Sequence, residues 1–256
     1  MRQHYGKRQA VDFGPKCLKH ILDEMVRQDL SRSYVNCQLG RAKRMFRWAV
    51  AEELIPMSVY QRLTTVDGLR YGQCAARETD AVEPVADSIV DATLPLVRPV
   101  VADMIRFQRL TGCRPEEACR VRPIDVDRGR DIWLYEPENH KTKHHGKQRP
   151  IFVGPKAQAV LRPYLLREPE LWCFVSKLRR RYSTDSYRRA IQRACQRAGI
   201  EKWSPNQLRH SAGTEIRREF GIETASAVLG HSNLSTTQIY AEADRRRAME
   251  AARRLG

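Results

Sequence analysis

The chain has 256 residues, 41% of them hydrophobic, and carries 46 lysines and arginines against 30 aspartates and glutamates, a formal net charge of +16. That length holds one large domain or two modest ones with a real core, and the cation surplus points to a polyanionic partner, nucleic acid first and an anionic membrane surface second. No apolar run approaches the roughly 18 residues of a membrane span, the opening MRQHYGKRQA has no hydrophobic core of the secretory kind, and no lipidation motif or amphipathic terminal helix supports membrane binding.

Residues 15 to about 70 read as helical. An amphipathic segment covers Lys16 to Leu30, and Ser31 or Ser33 then caps a longer helix. In that helix Val35, Leu39, Ala42, Phe46 and Ala49 recur at a 3–4 spacing and predict a buried stripe. Arg41, Arg44 and Arg47 fall on another face, which suits phosphate as well as it suits plain solvent. Pro56 is expected to close the helix, and a shorter one from Ser58 to Leu63 ends near Gly68 and Gly72. The stretch 73–87, CAARETDAVEPVADS, is small and acidic, lacks a strong period and reads as a linker.

Beyond it helices and strands alternate. Pro99 to Leu110 is an apolar helix leading into Thr111-Gly112-Cys113-Arg114. Pro115 starts a helix with Glu116 and Glu117 in its first turn. Asp131 to Tyr135 reads as a strand and Gln148 to Val153 as its partner, with Gly146 in the turn. Pro150 demotes that partner to a sheet edge. Ser183 to Ala198 is a basic helix, Leu208 to Phe220 a helix ended by Gly221, and Ile222 to Leu229 a short helix ended by Gly230. Ser235 and Gln238 form a capping box for the helix holding Tyr240, and Ala241 to Leu255 is charged and helical.

Seven cysteines, none in a Cys-x-x-Cys pair, fit neither a disulfide framework nor a zinc site and read as reduced thiols of a cytoplasmic protein. His144-His145 lacks a third ligand nearby, so no metal site and no cofactor are expected.

Four segments carry chemistry: Arg114; the basic hairpin from Lys141 to Arg149; Leu208-Arg209-His210; and Gly230-His231, followed nine residues later by Tyr240. Cleaving a phosphodiester needs a nucleophile, stabilisation of the non-bridging oxygens and a proton for the leaving oxygen. Nucleases often use Mg²⁺ for the second task, and two arginines can replace it, because the guanidinium fork matches phosphate oxygens and stays charged. A tyrosine with an unperturbed pKa near 10 becomes a nucleophile beside such cations.

In this order the segments resemble the tyrosine recombinase (phage integrase) family, and the resemblance spans most of the chain. It implies a mainly α fold with a small antiparallel β-sheet. A helical, SAM-like core-binding domain over residues 1–75, shortened at its N-terminus, would precede a linker at 76–87 and a catalytic domain at 88–256. It implies a site-specific DNA recombinase or integrase that cuts and rejoins strands through a 3′-phosphotyrosyl intermediate, without metal or ATP. Tyr240 would be the nucleophile, Arg114 and Arg209 the phosphate clamps, His231 a proton-handling partner and Glu117 a buttress. The family carries its general-acid lysine in a β-hairpin, here Lys141, with Lys143 the runner-up on the same face. His210 matches the usual continuation after the second arginine. Arg41, Arg44, Arg47, Lys147 and Arg149 are the candidate contacts to DNA. One position departs: the family has histidine, sometimes lysine, three residues before the second arginine, and here stands Asn206, which donates a hydrogen bond but carries no proton or charge.

The partners so implied are double-stranded DNA and three further copies, as a homotetramer on two duplexes, with the segment after Tyr240 packing in trans or folding back in cis. Two rivals stand beside this reading: a type IB topoisomerase-like enzyme, which shares the chemistry but would relax supercoils as a monomer, and a DNA-binding protein of the same fold with a decayed site. A basic RNA-binding protein would need a platform of stacking aromatics, and no such motif is present.

Overall fold

The structure, a computed structural model, describes residues 2–80, 82–138 and 150–230. It separates into two compact units, Met1–Ala81 and Val82–Gly256. Mainly helical, with one small antiparallel sheet, it has the fold class that the motifs imply.

The first unit holds α1 (Arg2–Tyr5), α2 (Pro15–Arg27), α3 (Arg32–Ala51) and α4 (Met57–Thr64). Of the two serines, Ser31 is the cap of α3, its side chain accepting from the Tyr34 N–H. The expected stripe is the core: Val35, Leu39, Ala42 and Phe46 are buried with Leu18, Ile21 and Leu22 of α2 and Val59 and Leu63 of α4, and Ala49 packs at its edge. Phe13 stacks on Phe46 with ring centroids 5.2 Å apart.

Both long helices stop earlier than their patterns suggest. Asp29 and Glu53 take left-handed backbone, φ 57° and 56°. The Leu30 and Leu54 N–H groups then reach back to the carbonyls of Met25 and Ala49, a Schellman closure that needs no glycine. Pro56 therefore does not close α3; it precedes α4 as its N-cap residue.

The Asn36 side chain accepts from the Leu69 N–H at 2.7 Å and donates to its carbonyl at 2.9 Å, tying the strand-free segment after α4 to α3. The acidic stretch beyond is attached at both ends. The Arg32 N–H donates to the Arg77 carbonyl at 2.8 Å in the first unit, and Val85 enters the core of the second. Single contacts of this kind leave no periodic trace.

The second unit runs α5 (Asp87–Thr93), α6 (Pro99–Thr111), α7 (Pro115–Cys119), β1 (Val126–Asp127), β2 (Trp133–Tyr135), β3 (Ile151–Val153), α8 (Pro155–Leu161), α9 (Thr184–Ala198), α10 (Pro205–Phe220) and α11 (Ile222–Leu229). The strands are antiparallel in the order β1-β2-β3, with Val126 opposite Tyr135 and Leu134 opposite Phe152. Pro150 lies just before β3, which is an edge strand. Pro99, Pro115, Pro155 and Pro205 each occupy the first position of a helix, where the missing N–H costs nothing. Met104, Ile105 and Phe107 of α6 form the centre of the core, with Tyr135, Ile151, Leu161, Phe174, Tyr187 and Leu208 around them.

α10 begins at Pro205, three residues before the expected start, because the Ser204 N–H donates to the Gln207 side chain at 2.9 Å in a capping box. Ser204-Pro205-Asn206-Gln207 spells that box. No described helix is long and apolar enough to cross a membrane.

Candidate active site

The first arginine sits at a corner built by a glycine. α6 ends at Gly112, whose φ of 62° is left-handed, and a Cβ there would come within 3.0 Å of the Leu229 side chain. The Thr111 hydroxyl donates to the Phe107 carbonyl at 2.8 Å. Arg114 then caps α7: its N–H donates to Glu117 Oε2 at 2.6 Å and its guanidinium to Oε1 at 2.9 Å. Glu117 is 4% exposed. Its two carboxylate oxygens are held by the guanidinium and by the N–H that opens α7. The Tyr135 hydroxyl donates to the Glu117 carbonyl at 2.9 Å, tying the corner to β2.

The second arginine reaches back to the same corner from α10, which packs against α6 and α11. Arg209 is 7% exposed. It donates to the Gly112 carbonyl at 2.8 Å and to the Leu229 carbonyl at 2.6 Å. One guanidinium thus clamps the chain two residues before Arg114 and two residues before His231.

A buried glutamine adds a further tie. Gln108 Nε2 donates to the Cys113 carbonyl at 3.1 Å and to the Pro205 carbonyl at 2.9 Å. Its Oε1 has no hydrogen-bond partner among the described residues. The loop bearing Arg114 and the first turn of α10 are therefore held side by side. On that turn Asn206 is exposed, and its Nδ2 lies 3.3 Å from Nε2 of His210, one turn later. Burial of the half-buried His210 ring, and then the positive charge of Arg209, hold its pKa below the usual imidazole value of 6.5.

The structure so brings together Arg114, Glu117, Arg209, Asn206 and His210. Lys141, Lys143, Lys147, Arg149, His231 and Tyr240 lie outside the described residues, as do the expected hairpin turn, the Ser235–Gln238 capping box and the tail from Ala241. Arg41, Arg44 and Arg47 are all exposed, on the side of α3 away from its buried stripe. On α9, Arg188, Arg189, Arg193 and Arg197 are exposed as well. Among the described residues no group of three or more histidines, cysteines or carboxylates is placed to hold a metal ion.

Two polar residues were not foreseen. Gln108 had a signal, a glutamine on a helix whose neighbouring positions Met104, Ile105, Phe107 and Thr111 are all buried. Arg217, completely buried on α10, had none, since an arginine within Ile216-Arg217-Arg218-Glu219 reads as a surface residue.

Residues 85–247, more than half of the chain, match the phage integrase family. The tyrosine recombinase XerC of Corynebacterium efficiens is 27% identical over 249 residues, covering 95% of this chain and 78% of that protein. The XerC of Corynebacterium glutamicum is 29% identical over 147 residues, 55% of this chain and 46% of that protein. Among solved structures, the integrase of transposon Tn1549 in complex with circular intermediate DNA superposes with a TM-score of 0.69 at 15% identity, covering 93% of this chain and 83% of that one. The XerH recombinase bound to a palindromic difH substrate gives 0.70 at 16% identity, covering 94% and 72%. At these identities the superpositions speak for the fold.

Proposed function

The chain belongs to the phage integrase family, the tyrosine recombinases, and from that premise we propose that it is a site-specific DNA recombinase acting through a 3′-phosphotyrosyl intermediate at Tyr240. The observation that carries the reading is the Arg209 clamp on the carbonyls of Gly112 and Leu229. It joins three of the four segments whose order in the sequence resembles the family's site.

In this reading Arg114 and Arg209 neutralise the non-bridging oxygens of the scissile phosphate, a task that otherwise falls to a metal ion. Tyr240 attacks phosphorus as the phenolate. Lys141, or Lys143 from the same hairpin face, gives the proton to the leaving 5′ oxygen, and His231 serves the proton on Tyr240. Asn206 donates a neutral hydrogen bond where the family has histidine. The phosphotyrosine conserves the bond energy, so rejoining to a new 5′ hydroxyl needs no ATP.

Residues 1–75 act as the core-binding domain and 88–256 as the catalytic domain, joined by 76–87. Arg41, Arg44, Arg47, Lys147 and Arg149 contact phosphates, and affinity falls with salt as counterions compete. Four copies assemble on two duplexes, in the cytoplasm.

The test is a nicked suicide duplex carrying the ends of the protein's own element, resolved on a denaturing gel. A covalent protein–DNA band that vanishes in Tyr240→Phe supports the reading. Cleavage that survives Tyr240→Phe removes the tyrosine from its role, and binding without any band favours a DNA-binding protein whose site has decayed. Relaxation of supercoiled plasmid by monomers, without strand exchange, favours the topoisomerase-like alternative.

A further inference from the structure

Asn206 stands where the family's chemistry uses an ionisable ring, and an exposed amide on a first helical turn is free to rotate. One neighbour limits it. His210, four residues on and so on the same helix face, brings Nε2 to 3.3 Å from Asn206 Nδ2. The ring is half-buried beside Arg209, and both surroundings disfavour the imidazolium. A neutral imidazole protonated on Nδ1 offers a lone pair at Nε2, which accepts one N–H of the Asn206 amide. The amide carries a second N–H, and once its plane is set that donor is set too.

We infer that His210 is a positioning residue that orients the Asn206 amide, so that its second N–H is held ready for a non-bridging oxygen of the scissile phosphate. The inference rests on the recombinase reading above. The pair does by geometry what a single histidine at 206 would do alone: it presents a fixed donor, but one without a proton to give. In this role His210 acts on the phosphate through Asn206.

The experiment is a double-mutant cycle on the full chain with the nicked duplex, measuring the rate of covalent-complex formation and DNA affinity separately. His210→Ala and Asn206→Ala should each slow cleavage about tenfold, the worth of one hydrogen bond, with affinity unchanged. The double variant should be no slower than either single one. His210→Gln, whose amide oxygen also accepts, should recover part of the rate, and in Asn206→His the His210→Ala change should no longer matter. Imidazole ¹⁵N shifts of the free protein should report a neutral, Nδ1-protonated His210 whose Nε2 signal moves in Asn206→Ala. Additive losses, an unaffected rate in His210→Ala, or an Nε2-protonated ring each overturn the pairing. A wild-type protein that forms no covalent product overturns the recombinase reading and this role with it, and the ¹⁵N spectra tell that failure from failure of the pair.

Discussion

The two units use the same side chain in opposite ways. On α3, Arg41, Arg44 and Arg47 lie on an exposed face and, among the described residues, make no ion pair. In the second unit Arg209 is nearly buried and donates to two main-chain carbonyls, and Arg114 is braced by a buried glutamate. An exposed arginine is worth little to the fold and is free for a phosphate. A buried one bonded to carbonyls is part of the fold, and whatever it offers a phosphate comes with its position already paid in folding.

The largest loss is expected of Arg209→Ala. It removes the Arg209 hydrogen bonds to the buried Gly112 and Leu229 carbonyls, which should cost about 1–3 kcal/mol for each in denaturant unfolding, and cleavage should fall by about 10³. A variant that unfolds like wild type would show that the clamp is not structural.

Glu117→Gln comes next. Its amide oxygen can still accept from the Arg114 N–H, but the charge under the guanidinium is gone. A charge-assisted hydrogen bond of about 1.5–3 kcal/mol translates to cleavage roughly 10–100-fold slower with DNA affinity near wild type. An equal drop in affinity would assign Glu117 to binding instead of bracing.

Gln108→Leu should be milder. It removes the Gln108 ties to the Cys113 and Pro205 carbonyls together with a buried oxygen that has no hydrogen-bond partner among the described residues, so a net loss of about 1–2 kcal/mol is expected, with a slowing of cleavage below tenfold. The smallest effect on stability belongs to Arg41→Ala, within about 0.5 kcal/mol of wild type. There DNA affinity should weaken and the salt dependence of log K should flatten by about 0.9 for one lost phosphate contact. If Arg41→Ala destabilised the fold as much as Gln108→Leu, the contrast between the units would collapse.

Much of the fold was legible wherever a helix carries a long apolar stripe. α3, α6, α9 and α11 lie where their patterns put them, and the expected helix-ending glycines Gly221 and Gly230 both have positive φ. The misjudged ends were those closed by Asp29 and Glu53, because an acidic residue gives no local sign of left-handed backbone. β1, with two residues, is too short to show a period, and α5 and α8, with seven each, make about two turns. The order of their motifs singled out Arg114 and Arg209, which the structure brings to one corner. Gln108 was partly legible, and the pairing of Asn206 with His210 became visible only once the Ser204 capping box set the start of α10.

By itself the sequence determined which faces are apolar, where most helices start and stop, the basic surplus, and the chain order of arginine, basic segment, arginine, histidine and tyrosine. Those properties are local, or sums over the chain. The tertiary structure alone decided which arginines are buried against main-chain carbonyls and which are exposed. Arg209 meets a carbonyl 97 residues away, and nothing in the residues flanking an arginine specifies a partner that only the packing of α6, α10 and α11 brings within reach.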